Sequence, residues 1–127
     1  MLQNRIRKLL LKAGIDPSLS GYDFLLTGIE MCYLDRTMLQ SVTKALYIDI
    51  GKPYGIKPSN IERCMRHAID KAKKNDCEFF QKEFAGFIDN ENKLSNSQFI
   101  GLCVEILKLQ EEIENVKQYS DSWQTDR

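Results

Sequence analysis

Arg63 and Arg66 stand three residues apart, with Glu62 directly before the first and Asn60 two positions earlier. Residues three and four apart share a face of a helix, so a helix here would gather two guanidinium forks, a carboxylate and an amide on one surface. These groups can read base edges in a DNA major groove. A guanidinium matches the O6 and N7 acceptors of guanine, an amide pairs with adenine, and a carboxylate accepts from cytosine. Ser59 and His67 flank the set, and Lys44, Lys52, Lys57 and Lys71 lie around it in sequence. Hydroxyl, imidazole and ammonium groups in those places suit contacts to phosphate.

Other chemistries fit the same residues less well. His67 is the single histidine and could join Cys64 and Cys77 around zinc, yet zinc takes four ligands and no C-x-x-C or H-x-x-x-H spacing is present. A Cys–His nucleophile would lack an orienting acid and an oxyanion loop. No glycine-rich phosphate loop or Walker-type lysine supports nucleotide binding. Tyr22, Tyr33, Tyr47 and Tyr54 could stack on single-stranded bases, but at helical spacing they read better as packing residues. Asp35 and Asp49 are not spaced as a dyad and suit helix capping or pairing with Arg36 or Lys52. The expectation is therefore no enzyme, no cofactor and no metal.

The chain has 127 residues, 43% hydrophobic and 28% charged, enough for one domain with a real core. Eighteen basic residues balance eighteen acids, which excludes a uniformly cationic, histone-like binder. The distribution is uneven. Residues 42–74 carry eight cations against Asp49, Glu62 and Asp70, and residues 1–12 add Arg5, Arg7, Lys8 and Lys12 with no acid. Residues 105–127 reverse the sign, with six acids against Lys108, Lys117 and Arg127. A basic face opposite an acidic tail suits a polyanion on one side; ordinary solvated helix faces would give the same counts. The longest uncharged stretch, residues 94–104, is eleven long and too short to cross a bilayer. The start has no secretory apolar segment. Four cysteines without paired spacing read as reduced thiols in a cytoplasmic protein, with Cys32 and Cys103 in the core.

The elements that would position these groups are helical. Ile6, Leu9, Leu10 and Ala13 make a first stripe, and Tyr22, Leu25, Leu26, Ile29 and Cys32 a second, in a helix from 20 or 21 to about 33. A third helix is expected over residues 37–50, with Leu39, Val42, Leu46 and Ile50 on one side. Gly51, Pro53 and Gly55 break it. The fourth begins at Pro58 as first helical residue or one step later, with Ser59 and Glu62 as a capping box. Its core side is Ile61, Met65, Ala68, Ile69 and Ala72. A short fifth helix covers about 77–84, ended by Gly86, and a polar loop over 89–93 follows. The last helix opens at 95 or 96, with Ser95 and Gln98 as a second capping box. The fold is expected to be all-α, about six helices in one compact domain over residues 1–110. Residues 111–127 form an acidic tail in which Ile113, Val116 and Trp123 are too sparse for heptads, so it is expected to fray, with Trp123 a candidate anchor.

Helix, glycine-containing break and helix is the layout of a helix-turn-helix. A break of seven or eight residues is long for that motif, and any helical bundle contains such pairs, so pattern alone stops at a candidate DNA binder. The residues go further. Gly21-Tyr22, Phe24-Leu25 and Gly28-Ile29 are followed by Val42-Thr43-Lys44, Leu46-Tyr47 and Asp49-Ile50. Then come Ile61-Glu62-Arg63, Met65-Arg66-His67-Ala68-Ile69 and Asn96-Ser97-Gln98-Phe99-Ile100. In that order and spacing, over residues 6–110, the chain resembles the C-terminal effector domain of the master sporulation response regulator of endospore-forming bacteria.

The resemblance implies a six-helix transcription regulator whose third and fourth helices form a helix-turn-helix, the fourth reading a short box in double-stranded DNA. It also implies domains set in tandem on repeated boxes, as a homodimer or side by side, within reach of the transcription machinery. Carried over, Glu62, Arg63, Arg66 and His67 match the groove-facing helix. Ser59 matches a phosphate-touching position, and Asn60 stands where the family has a basic residue, which alters the base preferred there. Base reading is thus expected of Asn60, Glu62, Arg63 and Arg66, and phosphate contact of Lys44, Lys52, Lys57, Ser59, His67 and Lys71. The family's receiver domain does not precede this effector region in the sequence read. The alternative expectation is a receiver-less interaction protein that pairs with a full-length homologue without reading DNA. No membrane partner is expected.

Overall fold

The structure, a computed structural model, describes residues 1–41, 45–75 and 77–125, with only the backbone described for residues 41 and 119–125. Among the described residues, six α-helices make a single all-α domain: α1 (Leu2–Lys12), α2 (Ser20–Leu34), α3 (Tyr47–Gly51), α4 (Pro58–Asn75), α5 (Glu78–Phe84) and α6 (Asn96–Thr125). No strand occurs among the described residues.

The apolar stripes read from the sequence are the buried ones. Ile6, Leu9 and Leu10 of α1, Leu25, Ile29 and Cys32 of α2, and Ile61, Met65, Ala68, Ile69 and Ala72 of α4 close one core. Phe99, Ile100, Cys103, Val104 and Leu107 of α6 complete it. Phe80 and Phe84 of α5 seal one end, with Phe84 stacked on Phe99 at 4.8 Å between ring centroids. The central crossing is α2 on α4, and it is close because Gly21 has no side chain. A Cβ there would lie 2.2 Å from the Cys64 carbonyl oxygen and 2.8 Å from the Ala68 Cβ.

The third helix departs from expectation. In place of one helix over residues 37–50, the chain makes a 3-10 segment, Arg36–Ser41, and the α-helix begins only at Tyr47 after a π-type turn at residues 45 and 46. Periodicity could not distinguish these, because i+3 and i+4 apolar spacing serves both helix types. Asp35 caps this segment: its carboxylate accepts from the Thr37 backbone N–H at 3.0 Å and the Thr37 hydroxyl at 2.6 Å. Two capping signals also separate. Ser95 and Gln98 form the full reciprocal box, with the Gln98 N–H donating to Ser95 Oγ and the Ser95 N–H to Gln98 Oε1, each at 3.1 Å. At α4 the proline reading holds. The Lys57 carbonyl accepts from the Asn60 and Ile61 N–H groups, so Pro58 is the first helical residue and Ser59 lies inside the first turn.

Helix α6 runs through residue 110 without a break and ends at Thr125. No helix among the described residues is long and apolar enough to cross a membrane.

Candidate nucleic-acid interface

The connection from α3 to α4 is a compact turn. A 3-10 segment, Lys52–Tyr54, follows α3 directly, and Gly55 at φ +65° adopts the left-handed conformation that a side chain would resist. The Ile56 N–H then reaches back to the Gly51 carbonyl at 3.0 Å. Lys52 and Lys57 are exposed on either side of this turn.

Helix α4 has the largest split between faces. Against its buried stripe, Ser59, Arg63, Arg66 and His67 are exposed and Asn60, Glu62 and Asp70 half-buried. Both arginines are held along the helix. Arg63 donates to the Asn60 amide oxygen at 3.1 Å, and Arg66 pairs with Glu62 one turn back. The base-reading set predicted from sequence is therefore one contiguous, pre-paired surface. Exposed i,i+4 pairs contribute only about 0.3–0.5 kcal/mol, so these bonds orient the forks without locking them away from another acceptor.

Asn96, the first residue of α6, opens one of the blocks that carry the resemblance, but the sequence assigned it no role. It is buried, and its Nδ2 donates to the Tyr47 hydroxyl at 3.1 Å and to the Glu62 carbonyl at 3.0 Å. One amide thus fastens α6 to α3 and to the turn of α4 that carries Glu62, Arg63 and Arg66. Burial raises the Tyr47 hydroxyl pKa above its ordinary value, so this phenol stays protonated. The available signal was the capping box: it places Asn96 at the start of α6, where a short amide can turn inward toward neighbouring helices.

A groove of about 870 Å³ runs beside this contact, lined among others by Ser59, Glu62, Arg66, Asp70, Lys93 and Asn96. A second hollow of about 390 Å³ lies on the other flank of α4, where His67 and Arg63 meet Leu19 and Ser20 at the start of α2.

The remaining expected phosphate contacts diverge. Lys71 lies three turns along α4 and its ammonium bonds the Asp16 carboxylate at 2.7 Å. Asp16 also accepts from the Ser18 N–H and hydroxyl, and Lys71 foremost, then Ser18, holds its carboxyl well below the usual range. Lys71 is thus a brace between α4 and the α1–α2 loop. Lys44 lies outside the described residues. Among the thiols, burial pushes Cys32 up to about 11 and raises Cys103 further, so neither offers a thiolate at neutral pH. No group of three His, Cys, Asp or Glu among the described residues could hold a metal ion.

The family model described as "Sporulation initiation factor Spo0A C terminal" matches residues 6–107 of the 127. The chain belongs to this family. The Spo0A C-terminal family is the DNA-binding effector domain of sporulation regulators, so this chain carries a DNA-binding domain of transcription regulation. The match ends at Leu107, the last buried residue of α6 among those whose side chains are described.

Proposed function

We propose that α4 lies in the major groove of double-stranded DNA and reads a short box in a sequence-specific manner. Arg63 and Arg66 bond guanine edges, and Asn60 and Glu62 refine the choice of neighbouring bases. Lys52 and Lys57 at the turn, with Ser59 and His67 on the flanks of α4, contact phosphates. Lys44 belongs with them by its place in the sequence before α3. The observation that carries this reading is the exposed Arg63–Arg66 face. It is braced from behind by α2 and at its N-terminal half by Asn96, so two forked donors project from a rigid support. Lys71 braces α4 through Asp16 and, half-exposed with two further N–H donors, also belongs with the phosphate contacts.

Fluorescence anisotropy with a duplex bearing the sporulation regulator's box and with a scrambled duplex, each at two salt concentrations, tests the proposal. Tighter binding to the box at both salts is the expected result. Equal and salt-sensitive binding to both duplexes would reduce the site to a basic face without base reading. Binding to neither would overturn the proposal and favour a protein partner.

A further inference from the structure

Beyond the family match, α6 continues as a single helix with every residue from Leu109 to Gln118 exposed. At 1.5 Å per residue the part past Leu107 is about 27 Å long. Counted only from residue 111, its apolar positions look sparse. Counted from the domain outward they are regular: Leu102, Ile106, Leu109, Ile113 and Val116 follow one another in steps of four, three, four and three. That is a heptad seam, with Ile106 and Ile113 at a and Leu102, Leu109 and Val116 at d.

The seam starts at the domain and leaves it. Leu102 and Ile106 pack against the core, and at 100° per residue the seam centres about 130° around α6 from Phe99, Ile100, Cys103, Val104 and Leu107, which enter the core. Leu102 and Ile106 are half-buried at the domain surface, while Leu109, Ile113 and Val116 are 53%, 65% and 66% exposed. Three large aliphatic side chains in a row on a solvated helix form an apolar stripe with nothing of the described chain over it.

We infer that this stripe pairs with its own counterpart on a second copy of the chain, as a short parallel two-stranded coiled coil. The sequence argues for that occupant and that direction. Isoleucine at both a positions with leucine at two of the three d positions is close to the composition that favours parallel dimers. The flanking charges agree: Glu112 falls at g and Lys117 at the following e, the two positions that meet across a parallel interface. An antiparallel pair would set g against g and e against e, bringing like charges together. On the domain side, Tyr33 bonds Glu111, Lys108 lies 4.7 Å from the Tyr33 ring, and Arg36 pairs with Glu105 at 3.1 Å. These contacts fix the azimuth of α6, so the stripe stays turned outward.

Only Leu109, Ile113 and Val116 are fully free to pair, so the dimer is weak and the test needs concentration. Sedimentation equilibrium of the full chain at rising concentration should show the mass climbing from 14.7 kDa toward twice that value. Ile113→Asp should be monomeric throughout with unchanged circular dichroism and melting, because the side chain is exposed. Lys117→Glu should weaken the dimer several-fold, and adding Glu112→Lys should restore it. Val116→Cys should cross-link to its symmetry mate under oxidation beyond the wild-type background, since a parallel seam brings equivalent d positions together. A wild type that stays monomeric, a dimer indifferent to Ile113→Asp, a charge exchange without rescue, or no Val116→Cys cross-link would each overturn the inference.

Discussion

At the scale of single residues, binding turns on exchanges between partners of similar strength. Arg66 already has Glu62, and an exposed pair of this kind is worth about 0–1 kcal/mol. A bidentate guanine contact discriminates by about 1–3 kcal/mol, so the exchange favours DNA only when the right base is present. Arg66→Ala should therefore weaken the matched duplex by about 1–3 kcal/mol, roughly 5- to 150-fold in Kd, and lose discrimination at one base pair. If anisotropy showed matched binding unchanged, the placement of α4 in the groove would be wrong. Lys57→Ala should act differently, weakening all sequences alike and lowering the slope of log K against log salt by about one. Asp16 yields a prediction on stability. Its carboxyl is held below the ordinary 3.8 by Lys71, so the contribution is present above that value and is lost as pH falls below it toward the folded pKa. Wild type should lose more of its melting temperature than Asp16→Asn between pH 6 and pH 3, and equal losses would show that the pair contributes nothing.

At the scale of elements, the domain depends on two places where helices touch through very small or very specific groups. Gly21 lets α2 cross α4 against the Cys64 carbonyl, a backbone atom that cannot swing aside. Gly21→Ala should destabilise by about 1–3 kcal/mol or more, visible as a lowered melting temperature. Asn96→Ala removes two donated bonds from one buried site and should cost about 1–3 kcal/mol. Because Asn96 fastens the turn that carries Glu62, this variant should also weaken duplex binding at temperatures where it is fully folded, whereas a purely structural residue would leave that binding intact. The sequence made the stripes of α1, α2 and α4 legible, since burial at helical period is a local pattern. It also revealed the Arg63–Arg66 face and the Ser95–Gln98 cap, whose partners are a few residues apart. It concealed whatever depends on distant pairs. Lys71 meets Asp16 across 55 residues, and Asn96 meets Tyr47 across 49. The split of the third helix was hidden for another reason: 3-10 and α turns share one apolar period, so spacing alone does not separate them.

At the scale of the whole molecule, pairing through α6 and reading by α4 have separable consequences. A parallel coiled coil is an isologous contact with a twofold axis along the seam, and it holds two domains by the ends of their α6 helices at one end of the pair. A twofold pair of readers matches two boxes related by a twofold, whereas domains stacked head to tail match direct repeats. Duplexes carrying one box, two direct boxes and two inverted boxes at several spacings should therefore rank differently. The inverted pair at its best spacing should bind with a Kd at least about tenfold tighter than a single box, because the second domain binds at the raised local concentration set by the tether. Ile113→Asp should abolish that gain and leave single-box affinity unchanged, since Ile113 lies outside the residues that match the family. Arg66→Ala should instead weaken single and paired boxes together. Cooperativity that survives Ile113→Asp would place the coupling elsewhere than α6, while loss of single-box binding in the same variant would mean that the α6 extension supports the reading domain itself.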